Sequence, residues 1–128
     1  VSNSVARRKK RQRSFGEYYI SQFLDYNKIN YNREKTFPNC VNSKNNKLRF
    51  DFFLTDYNIL IEFQGKHHYK PVNKYNRAKT VHKKTVLHDH IKRQYCKNNN
   101  IILIEINYLD INNIFDILIE ELDAIIGE

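Results

Sequence analysis

Two hydrophobic periods run along this chain, and each change of period marks the edge of an element. Ser14 and Glu17 stand three apart, the spacing of a capping box. Phe15, Tyr19, Phe23 and Tyr26 then recur at helical intervals, predicting a helix over about 14–28. Residues 31–37 alternate loosely and predict a strand, while Pro38 and the polar run 42–47 predict a loop. Residues 48–54 and 59–64 are apolar strands separated by the turn residues Asp56, Tyr57 and Asn58, so they predict a hairpin, broken by Gly65. The stretch 66–83 is basic, shows neither period and reads as a candidate mobile flap. Leu87, Ile91 and Tyr95 at four-residue spacing predict a helix over 84–98. Residues 101–106 read as a buried strand, and Asp110 or Asn112 opens a last amphipathic helix to Ile126. The order α-β-β-β-α-β-α implies one α/β domain over 14–128, with a small mixed sheet and a C-terminal helix.

Charge adds a partner to this picture. The net is +8, but residues 1–100 hold all 22 Lys and Arg, while 101–128 hold seven acids and no base. Arg7, Arg8, Lys9, Lys10 and Arg11 make residues 1–13 a basic flexible arm or linker. So polarised a surface suits a polyanion, whose phosphates release counterions when neutralised. A solvated surface tuned for solubility is the plainer alternative. The longest apolar run, 101–104, is far short of the roughly 20 residues a membrane span needs, so no membrane partner is expected. Two cysteines are too few for a disulfide framework, which points to a reducing, intracellular setting, cytoplasm or nucleus.

The candidate chemistry lies in the hairpin. Asp51 stands between Phe50 and Phe52, and Glu62 between Ile61 and Phe63. A carboxylate inside an apolar strand is costly to bury unless something compensates it. A hard cation such as Mg²⁺ (or Mn²⁺), held by Asp51, Glu62 and the Phe63 carbonyl, would do so. Gln64 shares the face of Glu62, where it can hold water or a phosphate oxygen. Either acid alone is better read as the polar, solvent-facing half of an alternating strand; it is the ordered set that favours a site.

Leu48-Arg49-Phe50-Asp51-Phe52 followed by Ile61-Glu62-Phe63-Gln64-Gly65 resembles the catalytic hairpin of the PD-(D/E)xK, restriction-endonuclease-like superfamily. Closer still is its EDxHD branch, which resembles very-short-patch-repair and phage-type homing endonucleases. The matching positions are Glu17, Asp51, His68 in Gly65-Lys66-His67-His68-Tyr69, and Asp89 in Asp89-His90-Ile91-Lys92. The resemblance spans residues 14–106. It implies a restriction-endonuclease-like αβββαβ core and a Mg²⁺-dependent endodeoxyribonuclease of homing or repair type, acting on DNA. Such a chain leaves little over for base reading, so sequence specificity is expected to need a separate recognition domain. It further implies that His68 handles the proton, that Asp89 orients His68, and that Lys66 and Lys92 face phosphate. The chain departs from the pattern at Gln64, where the family carries lysine.

That departure supports a second reading: a nucleic-acid-binding module of the same fold that has lost catalysis. Single positions also admit plainer roles. Glu17 is equally a capping-box partner of Ser14. Asp89 and Lys92, three apart on a helix, can form a surface ion pair. A zinc site from Cys40, Cys96 and the histidines lacks any close ligand pair, and an HNH nuclease needs strands where this chain has none.

Overall fold

The computed structural model describes residues 14–127; the arm residues Arg7, Arg8, Lys9, Lys10 and Arg11 lie outside them. Helix α1 is Phe15–Tyr26. Strands β1 (Tyr31–Lys35), β2 (Phe50–Leu54) and β3 (Ile59–Gln64) follow, then a 3₁₀ turn at Lys66–His68 and the long helix α2, Asn76–Asn98. Strand β4 (Ile102–Asn107), a 3₁₀ segment at Tyr108–Asn113 and helix α3 (Ile114–Ile126) complete the chain. The four strands lie in sequence order, β1-β2-β3-β4. The first two pairings are antiparallel and β3 runs parallel to β4, because α2 carries the chain across to start β4 in the same direction. This is a mixed α/β fold, a four-stranded sheet between helices.

Two cores lie on the two faces of the sheet. Ile20, Phe23 and Leu24 of α1 and Ile114, Leu118 and Leu122 of α3 pack with Phe52, Leu54, Ile59, Ile61, Ile104 and Ile106. On the other face, Cys96 of α2 packs with Cys40, Leu48, Phe50 and Leu60. Alternation along β3 thus sends Ile59, Ile61 and Phe63 one way and Leu60, Glu62 and Gln64 the other.

Several elements differ from the sequence expectation, each for a physical reason. Of the expected aromatic stripe helix α1 buries only Phe23, beside Gly16, Ile20 and Leu24, and leaves Phe15, Tyr19 and Tyr26 exposed. Gly16 decides this: a Cβ there would collide with the Phe63 ring, so only glycine lets α1 approach β3 so closely. β1 stops at Lys35, after a left-handed Glu34 (φ 53°). The expected flap is partly regular, since α2 starts at Asn76 rather than Lys84. Of its 23 residues only Ala78, Asp89 and Cys96 are buried, so its first turns carry no apolar period to read. The last α-helix begins at Ile114, after the 3₁₀ segment, and Gly127 (φ 81°) caps its end. No helix among the described residues is long and apolar enough to cross a membrane.

Candidate active site

Regular pairing of β2 with β3 extends from Leu54↔Ile59 to Phe52↔Ile61 and no further. Beyond it, side chains replace the ladder. The Asp51 N–H donates to Glu62 Oε2 at 2.8 Å, and the Phe63 N–H donates to Asp51 Oδ2 at 2.9 Å. Both acids are buried, and both line one cavity of about 310 Å³ together with Phe63, His68, His88 and Lys92.

Helix α2 supplies the cation and the imidazole's partner. Lys92 Nζ lies 2.9 Å from Glu62 Oε1, and both side chains are largely buried. Its ammonium also stands 5.1 Å from the centre of the Phe50 ring, a favourable cation–π arrangement. His68 Nδ1 lies 2.7 Å from Asp89 Oδ2. With the Nδ1 proton directed at Asp89, Nε2 is left as the basic nitrogen of the ring. The His67 ring stacks on His68, centroids 5.2 Å apart. Burial and the neighbouring His68 hold His67 below its usual pKa. Burial, then Lys92 and Lys84, do the same to His88, so both rings favour the neutral form.

Glu17 and Gln64 stand outside the cavity lining. Ser14 Oγ accepts the Glu17 N–H at 3.2 Å, one half of the capping box, while the Glu17 carboxylate accepts from Arg33 Nη2. Arg33 also donates through Nε to the Asp51 carbonyl at 3.1 Å and covers the Phe52 ring, so it ties Glu17 to the strand that carries Asp51. Gln64 donates to Glu105 Oε2 and accepts from the Tyr69 hydroxyl at 2.8 Å. Its amide is therefore spent on the neighbouring strand rather than turned to the cavity. Lys66 is exposed on the 3₁₀ turn and does not line the cavity.

The six buried polar residues among those described are Glu17, Ser21, Asp51, Glu62, Gln64 and Asp89. Glu105 was missed by sequence reading. It is the register partner of Glu62, and consecutive residues of α2 serve the two acids, Lys92 for Glu62 and Arg93 for Glu105. Its place between Ile104 and Ile106 repeats the signal that marked Glu62. Arg33, Arg49 and Lys47 also went unmarked; the last two line the cavity, and surface bases in polar segments carry no pattern.

Among the described residues no group of three or more His, Cys, Asp or Glu side chains is gathered for a metal ion. Asp51 and Glu62 alone would give two hard carboxylates, and the Phe63 carbonyl with water would have to complete the shell, a donor set that fits Mg²⁺ better than zinc. Cys40 and Cys96 are unpaired and buried in the second core; burial pushes the Cys96 thiol up to about 12, so it is a packing residue. Compared with family models, with curated proteins and with solved structures, the chain matches none of them.

Proposed function

We propose that this chain is a Mg²⁺-dependent DNA endonuclease domain of the PD-(D/E)xK superfamily, in its EDxHD branch. The observation that carries the reading is the meeting, in one cavity, of the interlocked pair Asp51 and Glu62 with His68, held by Asp89, and with Lys92. The order and sheet topology of the elements are compatible with the restriction-endonuclease-like core, and a basic body suits DNA.

Asp51, Glu62 and the Phe63 carbonyl would hold the ion. When bound, Mg²⁺ polarises a phosphoryl oxygen and acidifies water. His68 Nε2 takes the proton of the attacking water, with Asp89 fixing the ring and balancing the imidazolium; as the water oxygen bonds to phosphorus the ester P–O bond breaks, and the leaving oxygen takes a proton from solvent. Lys92 turns from Glu62 to the phosphate and offsets its developing charge, the role that Gln64, tied to Glu105, does not fill. Glu17 acts through Arg33, which steadies the Asp51 backbone.

A cleavage assay on DNA with Mg²⁺ or Mn²⁺ tests this. Asp51→Asn should lower cleavage by roughly 10²–10³-fold and leave DNA binding within a few-fold of the parent. A variant that cuts as well as the parent removes Asp51 from the site. A parent that binds DNA and cuts with neither ion favours the inactive binding module, which the commitment of Gln64 to Glu105 supports.

A further inference from the structure

A second cavity, of about 480 Å³, lies between the turn at 42–46 and the first half of α2. It adjoins the cavity of Asp51 and Glu62, and His88 lines both. Its walls carry Lys44, Lys83 and Lys84 together with Asn42, Ser43 and Thr80, and no acid. The adjoining cavity adds Lys47 and Arg49 to its lining, Arg49 being paired with Glu34 at 3.3 Å. From Lys66 to His88 the chain holds seven Lys and Arg and no Asp or Glu.

The turn is built firmly enough to present its side chains. Asn42 Oδ1 accepts the backbone N–H groups of Lys44 and Asn46 at 3.0 and 2.9 Å. The Asn42 N–H and Asn46 carbonyl close the loop, and Val41 bridges Lys47. The opposing wall is rigid helix. Thr80, Lys83, Lys84, Leu87 and His88 recur at three- and four-residue steps, so they share one face of it. A row of ammonium groups with amides and hydroxyls between them is the contact set that grips a phosphodiester backbone without reading bases.

We propose that this groove holds the DNA backbone on one side of the scissile phosphate and leads it past His88 to Asp51 and Glu62. The inference rests on the nuclease reading for the identity of the polyanion, and it adds Lys44, Lys83 and Lys84 as its binding residues. His88 lines both cavities, so its ring stands where the backbone would pass from one to the other.

Binding of duplex DNA is measured in EDTA over a salt series, so that no cleavage intervenes. Lys83→Ala with Lys84→Ala is compared with Lys28→Asn with Lys97→Ala, a pair equal in charge and away from the groove; asparagine tolerates the positive φ at position 28. All four lysines are solvent-facing, and thermal melts confirm folding. The groove pair should lower the slope of log affinity against log salt by about 2 and weaken binding roughly tenfold to a hundredfold. In the cleavage assay it should raise KM and leave kcat within about threefold. The remote pair should change slope and affinity little. Equal losses from both pairs reduce the effect to net charge and overturn the groove, as does no loss from either; tighter binding of duplex RNA overturns the choice of DNA. A parent that cleaves while the groove pair matches it sinks the groove alone. A parent that binds through the groove and never cleaves sinks the nuclease reading alone.

Discussion

Asp51 and Glu62 each stand in for a missing rung of the sheet. The Glu62 carboxylate accepts the Asp51 N–H, and the Asp51 carboxylate accepts the N–H of Phe63, the residue after Glu62. Ladder bonds that would otherwise be left unmade are thereby satisfied by side chains. The same exchange fixes both carboxylates in the lining of one cavity. Bringing the pair together therefore needs no flexible loop; the strands do it.

Lys92 is the counter-charge of Glu62 in this arrangement. Replacing it with methionine keeps the apolar stem and removes the ammonium, leaving a buried carboxylate uncompensated. Lys92→Met should cost roughly 3–5 kcal/mol in EDTA, read by urea unfolding, and saturating Mg²⁺ should return part of that loss. A loss of equal size with and without Mg²⁺ would show that no cation shares Glu62 with Lys92.

Under the proposed nuclease reading Gln64 stands where a lysine would be expected, but it is held by Glu105 and Tyr69. A lysine there would find Glu105 before it found the cavity. Gln64→Lys should accordingly raise the cleavage rate less than about threefold, under ~1 kcal/mol of transition-state stabilisation. A gain of a hundredfold would mean that position 64 does face the reacting phosphate.

Gly16→Ala puts a methyl group against the ring of Phe63, whose carbonyl belongs to the candidate metal site. Helix propensity favours alanine by up to about 1 kcal/mol. Overpacking costs typically about 1–3 kcal/mol, so the clash should win. Lower stability in denaturant is expected, together with a higher Mg²⁺ requirement for cleavage. A variant as stable as the parent would show that Phe63 moves aside freely.

His67 and His88 are both held below the ordinary imidazole value of 6.5, first by burial. The unfolded chain then takes up protons that the folded chain resists. Stability is fully present above pH 6.5 and falls as pH drops from there toward the depressed folded values, because the unfolded state binds more protons in that window. His88→Gln should flatten part of that slope, measured as unfolding free energy between about pH 7 and pH 5. An unchanged slope would assign the dependence to other groups.

The strands were legible because they are short, apolar and interrupted by acids, and the seven regular elements follow the predicted order. Asp51 between two phenylalanines and Glu62 between isoleucine and phenylalanine stood out as candidates, but each alone also fitted a solvent-facing position, and the fold decided that both are buried. Less legible was the start of α2, since a helix that buries little shows no period. The face of α1 was hidden for another reason: of the aromatic spacing only Phe23 is buried, while close packing against Phe63 selected the face with Gly16.

Periodicity and residue type, which are local properties, thus determined the element order and the residues costly to bury. Partnership was decided only by the tertiary fold. It assigned Lys92 to Glu62, Asp89 to His68, Arg33 to Glu17 and Gln64 to Glu105. Each of those pairs joins residues 16 or more positions apart, and hydrogen bonds act over about 3 Å, so no spacing along the chain can encode them.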